Sequence, residues 1–221
     1  MLILLIKKIG VFGGTFNPVH KGHESAAVGF YNRFNLDKLL IIPANIPPHK
    51  QVFYNLDNVS AIQRFEMCSI CFNRYKYVCN YNIEVSDIEI KKDGLSYSYN
   101  TVKNLLEIYP EDENQIYFLV GSDMFLYLEH WHRYKDLLNM CVFVVAFRYN
   151  QKNNQDNAEV LKMRNNLVSQ GYKIEILYNN PFEISSTDLR EKIKNNNFAL
   201  EEYINPDVLN YIKERKIYAL Q

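Results

Sequence analysis

"LILLIKKIGVFGGTFNPVHKGH", Leu2 to His23, decides the architecture. The apolar run from Leu2 to Val11, broken only by Gly10 and two lysines, predicts a buried strand. A helix is predicted from Gly22 to Phe34, so Gly13 to Pro18 form the turn between them. Gly13 and Gly14 are expected to supply positive φ and a close backbone approach. The N–H groups near Thr15 and Phe16, and the positive first turn of the helix, can then face an anion. His20 and His23 are three apart and share a helical face. Two histidines at a glycine turn that ends a strand point to binding chemistry more than to packing. Neither standard phosphate loop fits, because there is no G-x-G-x-x-G and no lysine after a G-x-x-x-x-G spacing.

Working outward, further strands are predicted at Lys38–Ile42, Gln115–Val120, Cys141–Phe147 and Lys173–Tyr178, with Tyr77–Val85 extended. Helices are predicted at Val59–Phe72, Tyr99–Ile108 (stopped by Pro110), around Trp131 and at Ala158–Gln170. Ser186 to Arg215 reads as short helices separated by "NNN" and "NP". Continuous apolar strands alternating with helices argue for an α/β fold, a parallel sheet covered on both faces. Ligands of such sheets bind beyond the carboxyl ends of the strands. Residues 1–221 are expected to form one domain, with 184–221 as a small helical C-terminal subregion. "PANIPPHK" is expected to be an exposed loop.

The chain has 221 residues, 48% of them hydrophobic, enough for a sizeable core. Its 25 Lys and Arg balance its 25 Asp and Glu, so no bulk electrostatic pull on nucleic acid is expected. The four cysteines and the lack of a recognisable leader suggest a reduced, cytoplasmic setting. "CSIC", Cys68 to Cys71, places both thiols on one apolar helix face, which favours buried cysteines over a zinc site. "MLILLIKK" is too short to span a bilayer. It admits a homodimer without requiring one.

Four other stretches carry candidate chemistry. "ISSTDLR", Ile184 to Arg190, opens a helix with Ser185, Ser186 and Thr187. Ser185 with Asp188 fits a capping box, while the hydroxyls, free N–H groups and Arg190 fit phosphate oxygens. In "LVGSDMF", Gly121 closes a strand and Asp123 fits either a helix N-cap or an acceptor for ribose hydroxyls. Trp131, the only tryptophan, fits core packing or stacking on a ligand ring. Lys50 in "PPHK" fits a solvated lysine or a phosphate contact.

"GGTFNPVHKGH" followed by "ISSTDLR" resembles the paired signatures of the H-x-G-H nucleotidyltransferases. "PPHK", "GLSYSYNTV", "GSDMFLYLEHWH" and "YINPDVLNYIKERKIY" make the chain similar to the bacterial nicotinate mononucleotide adenylyltransferases, from about Lys8 to Tyr218. Ser98 and Asn100 stand where that family's pattern has threonine and aspartate. The resemblance implies a Rossmann-like sheet and adenylyl transfer from ATP to nicotinate mononucleotide, with Mg²⁺ carried mainly by the phosphates and no protein metal ligands. It implies that His20, His23 and Arg190 are catalytic, and that Gly13, Gly14, Thr15, Phe16, Gly121, Asp123, Ser185, Ser186 and Thr187 complete the ATP site. Asn17, Lys50, Tyr97, Ser98 and Trp131 are implied for the mononucleotide. The alternatives are a related adenylyltransferase, acting on nicotinamide mononucleotide or phosphopantetheine, and an inactive nucleotide-binding module.

Overall fold

The computed structural model describes residues 6–48, 59–148, 154–179, 184–195 and 200–218. Strand β1 (Lys7–Gly14) leads to helix α1 (Lys21–Phe34), β2 (Lys38–Pro43), α2 (Ala61–Val78) and β3 (Ile83–Val85). Then come α3 (Ser98–Ile108), β4 (Asn114–Gly121), α4 (Ser122–Leu126), α5 (Tyr134–Met140), β5 (Val142–Arg148), α6 (Asn154–Ser169) and β6 (Ile174–Asn179). Helices α7 (Ser186–Lys194) and α8 (Pro206–Glu214) follow, with a short 3-10 turn between them at Leu200–Glu202.

The strands form one six-stranded sheet in the order β3-β2-β1-β4-β5-β6. The β1–β4, β4–β5 and β5–β6 ladders are parallel, with Val11 opposite Phe118, Phe118 opposite Phe143 and Phe143 opposite Ile174. This is the doubly wound, Rossmann-like order, which runs outward from β1 in both directions. Right-handed crossovers then put the helices of the two halves on opposite faces. Strands covered on both sides are apolar along their length, and Val11, Phe143, Val144 and Val145 are fully buried. Among the described residues no helix is long and apolar enough to cross a membrane.

The chain falls into two compact units. One comprises Met1–Gly13, Ala26–Leu40 and Tyr97–Pro181; the other comprises Gly14–Ser25, Ile41–Ser96 and Phe182–Gln221. In the first, Gly10 lets β1 lie against α1 and β2. A Cβ there would overlap the Leu36 side chain and sit 2.9 Å from Leu39 Cδ1 and 3.1 Å from Phe30 Cε1. Gly10→Ala should cost about 1–3 kcal/mol through overpacking. Thermal melts should register this as roughly 2–4 °C in Tm per kcal/mol at this chain size. An unchanged melt would mean that these side chains move aside freely.

Three expectations are corrected. The strand extends to Gly14, so the glycine pair belongs to β1, and neither glycine has positive φ; Phe16 does, at φ 50°. What marks Gly14 is a close approach instead, since a Cβ would lie 3.0 Å from the Phe16 ring, which would have to give way. Second, Tyr77 and Val78 are helical, and only Ile83–Val85 is strand. Inside the second unit, Arg74 of α2 pairs with Glu24 at 2.7 Å and Tyr75 donates to the same carboxylate at 2.8 Å, so the helix is anchored four residues before it ends. The apolar residues that suggested a strand simply face outward. Third, the start of "PANIPPHK" is not an exposed loop: Pro43, Ala44 and Pro47 are buried. Cys68 and Cys71 are buried on α2 as the spacing implied, and burial pushes both thiols well up from their ordinary pKa.

Candidate functional site

The turn after β1 is held by its own side chains. Phe16 is buried, and its left-handed backbone sends the ring over Gly14 and edge-on to His23, with ring centroids 5.0 Å apart. His20 precedes the first residue of α1, and its Nδ1 accepts from the Gly22 N–H at 3.1 Å. Three residues on, His23 Nδ1 accepts from the His20 N–H at 3.2 Å. This is a reciprocal cap, a histidine box in which each ring satisfies an otherwise orphaned N–H of the helix start. Both rings therefore have a structural role at the helix start, which the sequence had weighed below binding. An Nδ1 that accepts a hydrogen bond carries no proton, so the neutral ring has its proton on Nε2. Both Nε2–H groups become donors of fixed direction, on rings whose centroids are 3.7 Å apart.

The second motif lands on the first. At the start of α7 the Ser185 hydroxyl donates to Asp188 at 2.7 Å and accepts from its N–H at 3.1 Å, while the Ser185 N–H donates back to the Asp188 carboxylate. The Ser185 hydroxyl, and after it the Ser185 backbone N–H, hold the exposed Asp188 carboxyl below its ordinary pKa. The capping reading of Ser185 is thus realised. Ser186 Oγ donates to the Pro18 carbonyl at 3.1 Å, and Arg190 Nη1 donates to the Asn17 carbonyl at 2.9 Å. Arg190 Nη2 donates to Thr187 Oγ1 at 3.3 Å. The N-termini of α1 and α7 are therefore joined through the Asn17-Pro18 segment, all within one unit. The tail adds a third grip: Tyr218 donates to Asn17 Oδ1 at 2.5 Å, and the Lys21 N–H donates to the Tyr203 carbonyl at 2.8 Å.

The remaining candidates in the described structure lie in the other unit. Gly121 is the N-cap of α4, so the capping reading of Asp123 is not met; Asp123 sits in the first turn. A Cβ at Gly121 would lie 2.6 Å from Asp123 Oδ1, so a side chain there would turn the Asp123 carboxylate aside. Trp131 packs edge-on near Phe118 and Phe143, with centroids 6.3 and 6.4 Å away, and its indole N–H is buried without a protein acceptor. A half-buried ring with an unused donor fits neither simple core packing nor a free surface. Tyr97 is the N-cap of α3 and its ring lies tilted against His132, centroids 4.5 Å apart, and Ser98 is the first residue of that helix. Lys50 lies outside the described residues.

Sequence reasoning missed four residues here: Tyr218, Asn45, Ser96 and Arg64. The Asn45 N–H donates to Ser96 Oγ at 2.8 Å and its side-chain amide to the Lys92 carbonyl at 2.8 Å, tying down the loop after β2. Arg64 of α2 reaches both the Thr15 and Asn45 carbonyls. A polar residue tied by its backbone leaves no trace in spacing. Arg64 did leave one, as a charge on an otherwise apolar helical stripe. Among the described residues no group of three or more His, Cys, Asp or Glu is placed to hold a metal ion.

A family model described as cytidylyltransferase-like matches residues 11–192. A Fusobacterium nucleatum protein described as a probable nicotinate-nucleotide adenylyltransferase is 39% identical over 188 residues, covering 85% of this chain and 88% of that one. One from Clostridium botulinum with the same description is 34% identical over 210 residues, covering 94% and 97%. Among solved structures, Plasmodium falciparum nicotinic acid mononucleotide adenylyltransferase complexed with NaAD superposes with a TM-score of 0.74 at 20% identity, covering 96% and 97% of the two chains. The same enzyme complexed with APC gives 0.71. At that identity the structural likeness speaks for the fold.

Proposed function

Since the chain belongs to the nicotinate-nucleotide adenylyltransferase family, we propose that it transfers the adenylyl group of ATP to nicotinate mononucleotide. The products are nicotinate adenine dinucleotide and pyrophosphate, a step of NAD biosynthesis. Residues 1–221 act as one catalytic domain, and the setting is the cytoplasm. The observation that carries the reading is the pairing of the histidine box with Arg190 and Ser186 on one loop.

The chemistry needs positioning more than a protein nucleophile. A phosphate oxygen of the mononucleotide attacks the α-phosphorus of ATP as the bond to the bridging oxygen of the β-phosphate breaks. Negative charge grows on the α-phosphate oxygens and on the departing pyrophosphate, so prearranged donors lower the barrier. His20 and His23, through their Nε2–H groups, serve the α- and β-phosphate region. Arg190 and the α7 start, with Ser185, Ser186 and Thr187, receive the β- and γ-phosphates. Gly13, Gly14, Thr15 and Phe16 form the backbone wall of this cradle, and Gly121 and Asp123 seat the adenosine. Asn17, Lys50, Tyr97 and Ser98 serve the mononucleotide, with Trp131 at its pyridine ring. The cradle offers imidazole, guanidinium and N–H donors, and the Asp188 carboxylate at its α7 edge is taken up by Ser185. This suits Mg²⁺ held by the nucleotide's own oxygens and by water. When bound, the ion supplies charge neutralisation between the phosphates.

The test is a panel of acceptors with ATP, following pyrophosphate and the dinucleotide product. Nicotinate mononucleotide should give the highest kcat/KM. A preference for nicotinamide mononucleotide or phosphopantetheine would reassign the substrate. ATP binding with no pyrophosphate from any acceptor would mark an inactive module.

A further inference from the structure

The buried face of α2 is Arg64, Met67, Cys68, Cys71 and Phe72, a regular helical stripe whose first member is a cation. The guanidinium is delivered by a rigid support. Ser60 Oγ accepts from the Gln63 N–H at 3.1 Å and Gln63 Oε1 accepts from the Ser60 N–H at 2.9 Å, which fixes the first turn of the helix. Arg64 is 2% exposed. Nη1 donates to the Thr15 carbonyl at 2.8 Å and Nη2 to the Asn45 carbonyl at 2.9 Å. Thr15 directly follows β1 and leads into the histidine box; Asn45 lies two residues beyond β2 and opens the loop tied to Ser96. One backbone bond already joins these loops, from the Ala44 N–H to the Gly14 carbonyl at 2.9 Å.

Burying a cation is costly, and a leucine or methionine would fill this place on the stripe without that cost. What an apolar side chain cannot do is hold two carbonyls from two loops at one separation. A planar fork with fixed donor spacing does so, and a lysine reproduces it only in part. We propose that Arg64 is a positioning residue for the transfer, setting the loop that carries His20 and His23 against the loop that follows β2. The inference rests on the adenylyl-transfer reading, in which the first loop brings His20 and His23 to ATP and Asn17 to the mononucleotide, and the second leads to Lys50, also assigned to the mononucleotide. Both of these bonds go to backbone, so losing them should misplace the reactants without stripping either of its donors. Reactions between two held partners are sensitive to such shifts, and a 1 Å displacement costs on the order of 10²-fold.

The test uses Arg64→Met, Arg64→Lys and Ser96→Ala in the full chain. Wild-type pyrophosphate release with ATP and nicotinate mononucleotide is measured first. Its absence overturns the function, whereas an active wild type beside an indifferent Arg64→Met overturns only the positioning role. Folded Arg64→Met should lose ~10²-fold in kcat while each KM stays within about 3-fold, and Arg64→Lys should recover roughly 10-fold. Amide exchange of the Ala44 N–H should quicken in Arg64→Met whether or not the enzyme turns over. Should Arg64→Met not fold, Ser96→Ala loosens the same loop with Arg64 intact, and a fall in kcat at constant KM is expected. Wild-type kcat in the folded Met variant or, failing that, in Ser96→Ala would overturn the proposal. So would a rise in KM at constant kcat, or unchanged exchange at Ala44.

Discussion

Replacing His23 by alanine will lower turnover by ~10²-fold or more, the usual result of losing a donor to transition-state charge. The geometry adds a complication. His23 also receives the His20 N–H, so alanine removes a cap as well, at about 1 kcal/mol. His23→Gln separates the two roles. A glutamine in the corresponding place already caps α2, where Gln63 Oε1 accepts from the Ser60 N–H. His23→Gln should therefore melt close to wild type, yet keep most of the loss in turnover, because no ring donor remains at the Nε2 position. Steady-state pyrophosphate release and thermal melts on both variants decide it. Near-normal turnover in His23→Gln would mean that the ring serves the helix and not the phosphate.

Arg190→Lys carries the second large effect, on the order of 10²-fold in kcat. Charge is kept, but the fork that joins the Asn17 carbonyl to Thr187 Oγ1 is lost. If Arg190 acts on the departing phosphates, kcat falls and KM for the mononucleotide stays put, since that substrate is not its partner. If it only braces the Asn17-Pro18 segment, both KM values rise together and the melt drops. The ratio of the two KM changes, measured with each substrate saturating in turn, is the readout.

Much of this was legible in the residues. Uniformly apolar strands alternating with helices specify a covered parallel sheet, because both faces of each strand must be buried. The two signatures marked the ends of α1 and α7, since helix starts need caps and show them as short polar motifs. The rest depended on distance in the chain or on shape. Gly14 is crowded by a ring two residues away, whereas the sequence suggested a dihedral reason. The Tyr218–Asn17 bond spans 201 residues, and no local pattern encodes it. Arg64 was visible as a charge on the stripe, but its acceptors are carbonyls, which every residue owns. The extension of α2 to Val78 rests on Glu24 in another helix, so the local preference for strand lost to an anchor elsewhere.

The hold of Tyr218 on Asn17, with Ser186 and Arg190 on the same segment, fixes an order of events in the life of each chain. The glycine-and-histidine loop leaves the ribosome before three of its braces, which are synthesised some 170 to 200 residues later. A nascent chain can close much of its sheet before that point, but it cannot finish its phosphate cradle. Activity should thus switch on only after Tyr218 has been made. Products released short of Tyr218 would carry both histidines with a loop still waiting to be set.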